Sequence, residues 1–142
     1  MERSIYEFPA LFRRVHMERP GEIEAEAAFM QALWQRHRNA KVRRVLDVAC
    51  GDSPHGQIYA RDGMEVVGID RSAPMLRAGR AKATSTHPIR FYRRQFERFT
   101  LPERPFDAAF LMSETFPVMA TNAAIISHLQ AVGRLLKEGG LY

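Results

Sequence analysis

The chain has 142 residues, of which 46% are hydrophobic and 26% are charged, and its formal net charge is +5. This size and composition fit one globular domain around a buried core. No stretch is apolar and long enough to span a bilayer, and the first ten residues have no apolar core for a secretory signal. The single cysteine, Cys50, excludes an intramolecular disulfide. We therefore expect a cytoplasmic protein without a membrane partner.

The first forty residues are predicted to be mainly helical. Apolar residues in the first twenty positions indicate a short helix or a lid, and Pro20-Gly21 interrupts the chain after them. Over residues 22–38 apolar side chains recur at helical spacing, with carboxylates in the first turns and arginines near the end, as the helix dipole favours. Trp34 lies on this stripe and is predicted to be buried. We assign residues 1–40 to an N-terminal cap or lid and residues 41–142 to the main domain.

From residue 45 onwards, predicted strands and helices alternate. The predicted strands are residues 45–49, 64–69, 89–92 and 106–112, and the predicted helices are residues 55–62, 73–83 and 122–137. Gly139-Gly140 is expected to end the last helix, and Leu141-Tyr142 is expected to begin a fifth strand. This alternation predicts the α/β class, with a doubly wound, mostly parallel sheet.

A ligand site is expected at the carboxyl ends of the first two strands. Residues 47–56 follow the first strand and lead into a helix, and their small side chains let a ligand approach the backbone. Asp47 offers a negative charge to a cationic group. Asp70, at the end of the second strand, has a carboxylate that can accept hydrogen bonds from both hydroxyls of a ribose. The sequence therefore indicates a nucleoside ligand.

The glycine pattern decides which kind of nucleoside fits better. A dinucleotide site needs G-x-G-x-x-G, and here Ser53 stands at the second glycine position between Gly51 and Gly56. Asp47 and Asp52 would also repel a pyrophosphate. An uncharged or cationic nucleoside is favoured, and a nucleotide-dependent oxidoreductase remains the competing enzyme hypothesis.

Four segments, in the expected order, resemble the motifs of class I S-adenosylmethionine-dependent methyltransferases. Residues 45–51 resemble the first motif, residues 65–72 with Met75-Leu76 the second, residues 106–110 the fourth strand, and residues 135–140 the run before the fifth strand. The resemblance implies a Rossmann-like methyltransferase fold with S-adenosylmethionine as cofactor. It also implies an enzyme that transfers a methyl group to an acceptor by in-line displacement.

The resemblance also implies which residues contact the cofactor. They divide into a methionine side (Asp47, Ala49, Cys50, Gly51, Met112), a ribose ligand (Asp70) and an adenine side (Arg71, Met75, Gln95, Phe96). Two positions depart from the family pattern. Ser53 stands where glycine is common, and Gln95 stands where the family usually has an acidic residue. The Gln95 amide oxygen can still accept a hydrogen bond from the adenine amino group, as a neutral and weaker bond.

Candidates for catalysis are few. Glu114, after the fourth predicted strand, is either a base or a ligand for a substrate amine, or a loop carboxylate that caps the next turn. Cys50 is expected to be a packing residue rather than a nucleophile. His55 is expected to cap a helix or contact the cofactor, and His128 is expected to be structural. The histidines show no metal-ligand spacing, so no metal site is predicted.

The sequence leaves alternatives open for the methyl acceptor and for the number of strands in the sheet. A small molecule is the first predicted acceptor, and the basic charge keeps RNA as the second. The resemblance implies seven strands, whereas this chain ends at the predicted start of the fifth. A fragment is the favoured explanation, and a shortened sheet, or a homodimer or partner that completes the open sheet edge, is the alternative. A non-catalytic, methyltransferase-like scaffold is the hypothesis from another functional class.

Overall fold

The computed structural model describes residues 4–16, 19, 21–112 and 115–142. The strands are β1 (Arg44–Val48), β2 (Glu65–Asp70), β3 (Ile89–Arg93), β4 (Phe106–Leu111) and β5 (Leu136–Leu141). The helices are α1 (Pro9–His16), α2 (Glu22–His37), α3 (Pro54–Arg61), α4 (Ala73–Lys82) and α5 (Asn122–Leu135), with 3-10 turns at Ile5–Glu7 and Phe116–Val118. Among these described helices, none has the length and apolar character needed to cross a membrane.

The strands form one parallel sheet in the order β3-β2-β1-β4-β5. All five residues of β1 are buried, as expected for a central strand covered on both faces. The strand order reverses between β1 and β4, and this is the point where ligands bind at the carboxyl edge of such sheets. The predicted α/β class and doubly wound sheet are confirmed.

The core lies in two layers, one on each face of the sheet, because successive residues of a strand point to opposite faces. One layer contains Val45 and Trp34, and the other contains Leu46 and Val132. Trp34 is 4% exposed, and its ring lies 5.1 Å from that of Tyr59, so its predicted burial is confirmed. Helices therefore cover both faces and hold β1 in the centre.

The prediction for the end of the chain was wrong about the boundary of the last helix. Helix α5 ends at Leu135, and β5 follows at once, so Gly139-Gly140 lies inside a strand and not in a turn before it. The β5 pairing with β4 contains a register shift, and Gly139 has a φ of 67°. Glycine was interpreted as a helix terminator, whereas here it permits a bulge in an edge strand. The other predicted elements agree with the structure to within one or two residues.

The N-terminal segment packs onto the carboxyl edge of the sheet. The Ser72 hydroxyl at the start of α4 donates to the Tyr6 carbonyl oxygen at 2.9 Å. On the other side, the Arg13 guanidinium of α1 donates to the Asp52 carboxylate at 2.7 Å. These two contacts place α1 and the preceding turn over the loop that follows β1. The division into a cap of residues 1–40 and a domain of residues 41–142 stays a prediction.

Candidate functional site

Two adjoining cavities, of about 530 Å³ and about 60 Å³, open where the strand order reverses. The residues that line both of them are Tyr6, Phe12, Ala49, Asp70 and Thr115. The larger cavity extends towards Glu26 and Phe96, and the smaller one reaches Met112 beside β4. A groove of about 700 Å³ lies between the N-terminal helices, α3 and α4, away from the strand ends. The strand-end cavities match the position that the fold favours for a ligand.

The loop after β1 turns sharply and forms one wall of the smaller cavity. Ala49, Gly51 and Ser53 have φ values of 54°, 56° and 56°, which is the left-handed region. Two of them are not glycine, and each non-glycine residue in this region costs on the order of 1 kcal/mol. A Cβ at Gly51 would come within 3.0 Å of the Met75 methyl group. Glycine therefore suits position 51, because it adopts this φ without strain and leaves room for the Met75 methyl group.

Asp70 connects this loop to the end of β2. Its Oδ2 accepts from the Gly51 N–H at 2.8 Å, and its Oδ1 accepts from the Ser72 N–H at 2.7 Å. Each carboxylate oxygen has a further lone pair, so both can also accept from a ligand in the cavities that Asp70 lines. The structure thus brings Asp70 and the β1 loop together, as the sequence prediction requires.

Asp47 is 3% exposed and lies beneath the loop. Its carboxyl accepts a hydrogen bond from the Ser53 hydroxyl at 2.7 Å. Burial, reinforced by the nearby charges of Asp70 and Asp52, raises the pKa of Asp47 to about 8, and the Ser53 bond offsets part of this effect. Asp47 therefore holds a proton at neutral pH, and the negative charge that we expected to attract a cationic ligand group is neutralised.

Asp52 joins the loop to two helices. It forms ion pairs with Arg13 of α1 and Lys82 of α4, and its side chain is 5% exposed. Burial alone would raise the pKa of Asp52, but the hydrogen bonds from Lys82 and Arg13 outweigh it and lower that pKa. The carboxylate is therefore charged at neutral pH and fixes α1 above the cavities.

Glu26 and His55 form a pair that the sequence analysis did not find. The His55 Nε2–H donates to Glu26 Oε2 at 2.7 Å. His55 is buried at the start of α3 and lines the smaller cavity, whereas Glu26 on α2 lines the larger one. Glu26 was interpreted only as a favourable charge near a helix start. Its position three residues after Ile23 and four before Met30 places it on the apolar face of α2, which is the signal that could have found it.

The other predicted cofactor contacts divide between the two cavities. Met75, Met112 and Cys50 line the smaller cavity. Arg71 and Phe96 line the larger cavity, in which the Arg71 guanidinium lies 5.9 Å from the centre of the Tyr6 ring. Met75, which was predicted on the adenine side, therefore lies with the methionine-side residues Cys50 and Met112 and apart from Arg71 and Phe96. The contact of each residue with a cofactor stays a prediction.

The remaining residues singled out in the sequence are Gln95, Glu114 and His128. Gln95 is exposed and does not line either cavity, so the structure does not bring it to the site. Glu114 lies outside the described residues. His128 is buried, as expected of a structural residue, and one of its ring nitrogens is 2.6 Å from the Phe96 carbonyl oxygen. This contact positions the turn after β3, which contains Phe96, next to the larger cavity.

Cys50 is unsuited to nucleophilic chemistry. Its side chain is 7% exposed, and burial raises the pKa of the Cys50 thiol well above its usual value. The thiol therefore stays protonated, which agrees with the expected packing role. Within the part of the chain that the structure describes, no three His, Cys, Asp or Glu residues are grouped so that they could hold a metal ion.

Comparisons with known proteins agree on one family. A family model described as "Methyltransferase domain" matches residues 45–140. The chain is 33% identical over 98 residues to "Putative methyltransferase YqeM" of Bacillus subtilis (strain 168), an alignment that covers 69% of this chain and 40% of that protein.

Solved structures extend this similarity to the fold. The sugar N-methyltransferase KedS8 from Streptoalloteichus sp ATCC 53650 superposes with a TM-score of 0.83 at 25% identity, over 99% of this chain and 54% of that one. The SAM-bound amino pentose methyltransferase CalS10 from Micromonospora echinaspora has a TM-score of 0.77 at 22% identity, over 96% and 53%. The chain thus spans about half the length of these relatives or less.

Proposed function

The chain belongs to the methyltransferase domain family, and we propose that it binds S-adenosylmethionine and transfers the methyl group to a small-molecule acceptor. The observation that carries this proposal is the Asp70 carboxylate. Held by the backbone N–H groups of Gly51 and Ser72, it faces the cavities beside the left-handed loop after β1. A carboxylate in this position suits the two vicinal hydroxyls of a ribose.

The residues around the cavities fit such a cofactor. The loop at residues 49–51 has only small side chains and lines the smaller cavity, which supports a close approach of the methionine part to its backbone. Arg71 and Phe96 would lie towards the adenine and Met112 towards the methionine part. The bound cofactor supplies an electrophilic methyl group on a sulfonium, and the protein contributes positioning and exclusion of water.

The N-terminal segment is proposed to be the lid of this site. Tyr6 and Phe12 line both cavities, and their rings are 5.2 Å apart. Two adjacent aromatic rings exclude water from the reacting atoms, which protects the methyl group from hydrolysis. The contacts of Tyr6 with Ser72 and of Arg13 with Asp52 hold this lid at two points.

A small polar acceptor is supported by the size and charge of the larger cavity. Its volume of about 530 Å³ lies in the range of small-molecule sites. Glu22, Arg19 and Arg71 are among the residues that line it, so its wall offers both hydrogen-bond acceptors and donors to a polar molecule. The relatives KedS8 and CalS10, which act on a sugar nitrogen and an amino pentose, support an amino sugar as the first acceptor to test. RNA remains the second candidate because of the net charge of +5.

The cellular compartment and the oligomeric assembly of the protein are also proposals. The one cysteine is free and buried, which supports a reducing compartment and therefore the cytoplasm. In the described part of the sheet β5 is an edge strand, so a homodimer or another partner could extend the sheet there. A scaffold of the same fold would share this edge but would show no turnover.

Calorimetric titration with S-adenosylmethionine and S-adenosylhomocysteine tests the proposal. We expect saturable binding that Asp70→Asn weakens roughly 10- to 100-fold, since the substitution removes the charge that strengthens two hydrogen bonds to the ribose. Asp62→Asn is the matched control, because Asp62 is an exposed aspartate that lines neither strand-end cavity and accepts a hydrogen bond from Gln31 at 2.8 Å. Binding of NAD in place of these ligands would support the oxidoreductase hypothesis, and equal affinity in both variants would contradict the role of Asp70.

A further inference from the structure

We propose that Glu26 binds the α-ammonium group of the cofactor's methionine part and that His55 holds the Glu26 carboxylate in position. The inference deepens the proposed function and rests on it, because it assigns a new contact within the same site. It also replaces the sequence-based expectation that Asp47 lies near this ammonium group.

An ammonium group in a closed site needs strong acceptors for its three N–H donors. Among the described residues, five carboxylates line the two cavities: Asp47, Asp52, Asp70, Glu22 and Glu26. Asp47 is buried under the loop and accepts from a hydroxyl, and Asp52 is ion-paired with a lysine and an arginine. Glu22 pairs with an arginine at 3.1 Å, and Asp70 accepts from two backbone N–H groups on the ribose side. Glu26 is therefore the remaining candidate.

Glu26 has the position and the exposure that this role requires. Its side chain is 40% exposed and lines the larger cavity, while its partner His55 lines the smaller cavity together with Met112. His55 and the loop residues Cys50 and Gly51 line the same small cavity, on the proposed methionine side of the site. The Glu26 carboxylate, held by His55 where the larger cavity adjoins the smaller one, can thus reach an ammonium group beside this loop.

His55 acts on the cofactor only through Glu26 and is therefore a positioning residue. Its side chain is 4% exposed, and its ring packs edge-on against Phe110 at 6.3 Å between centroids. This packing fixes the direction in which Nε2–H donates to Glu26 Oε2. A carboxylate held on one oxygen loses less freedom when its other oxygen binds a ligand. Fixing the ammonium end also fixes the direction of the sulfonium methyl group.

The test compares two ligands that differ by the amino-acid part alone. S-adenosylhomocysteine carries the α-ammonium group, and 5′-methylthioadenosine has the same nucleoside and sulfur without it. We expect Glu26→Gln to weaken calorimetric binding of S-adenosylhomocysteine roughly 10- to 100-fold, as for the loss of a bond between two charged groups. Binding of 5′-methylthioadenosine should change less than about twofold. His55→Gln should cause a smaller loss with the same selectivity.

Two matched variants complete the experiment. Glu24→Gln removes an exposed carboxylate from the same helix and should leave both affinities unchanged. Asp70→Asn should weaken both ligands, because both contain the ribose. Equal weakening of the two ligands by Glu26→Gln, or no weakening of either, would overturn the role of Glu26 while leaving the proposed function intact. If the wild-type protein binds neither ligand, the proposed function fails together with this inference.

Discussion

Replacing Asp47 with asparagine is expected to stabilise the protein, and the gain should grow as the pH rises. The Asp47 carboxyl has a pKa of about 8 in the folded state, because it is buried, against 3.8 in an exposed chain. At a pH below the pKa of the unfolded state, the carboxyl is protonated in both states and burying it costs no charge. As the pH rises from there towards the pKa of the folded state, the free energy of unfolding falls, because only the unfolded state releases the proton. Asparagine has no charge to bury, and its amide oxygen can still accept from Ser53.

The magnitude follows from the two pKa values. Between about pH 4 and pH 8 the folded state holds one more proton at Asp47 than the unfolded state, so the free energy of unfolding falls by roughly 1.4 kcal/mol per pH unit. From about pH 5 to about pH 8, the difference in this free energy between Asp47→Asn and the wild type should therefore increase by roughly 3–4 kcal/mol. Urea unfolding at several pH values in this range, followed by circular dichroism, measures the difference.

Asp107 is the matched control because it is an equally buried aspartate on the neighbouring strand β4. Burial would raise its pKa, but the hydrogen bonds from Lys137 and from the backbone N–H groups of Arg43 and Arg44 lower it overall. Asp107→Asn should therefore destabilise the protein at pH 7, with a loss that disappears as the pH falls below the ordinary range of aspartate. A difference between Asp47→Asn and wild type that stays constant from pH 5 to pH 8 would refute the assignment of a protonated Asp47.

Two further substitutions test the packing and charge that support the site. Tyr59 is fully buried, and its hydroxyl has no hydrogen-bond partner in the described structure, so Tyr59→Phe should raise the free energy of unfolding by up to about 1 kcal/mol in urea titrations. A clear loss in that variant would mean that the hydroxyl is bound. Lys82→Met should lower this free energy at pH 7 by roughly 1–2 kcal/mol, because it leaves buried Asp52 with Arg13 as its remaining ion-pair partner. That loss should vanish as the pH falls and Asp52 is protonated, and its persistence at low pH would indicate lost packing instead.

Much of the fold could be predicted because its signals are local. The β1 strand is rich in apolar and β-branched residues (Val45, Leu46 and Val48), and apolar residues recur at helical spacing along α2, so the type and position of both elements follow from the sequence. The end of α5 could not be predicted, because glycine is compatible both with a helix terminus and with a bulge in an edge strand. Only the tertiary contacts of β5 with β4, among them the ion pair between Lys137 and Asp107, decide between these two.

Site residues could be predicted from the sequence when their place after a strand identifies them. Residues whose role depends on contacts with distant segments of the chain could not. Asp70 was identified because it ends a strand at a suitable distance from the glycine loop. The Glu26–His55 pair joins residues 29 positions apart on two helices, and no sequence period connects them. The state of Asp47 depends on burial and on the neighbouring charges, which the sequence alone does not show. The protonation state of such a residue can therefore be derived only when the fold is known.

The serine in the glycine loop shows how one departure from a motif can be compensated by its neighbours. Ser53 adopts a left-handed φ of 56°, which glycine would adopt without strain, but its hydroxyl is the hydrogen-bond donor to buried Asp47. Its side chain also occupies the space next to Gly56, where any added Cβ would overlap the Ser53 hydroxyl. A glycine at position 53 would remove the strain and leave the Asp47 carboxyl without this partner, at a cost of about 1–3 kcal/mol. Ser53, Gly56 and Asp47 are thus interdependent, so the missing second glycine does not argue against a nucleoside site at this loop.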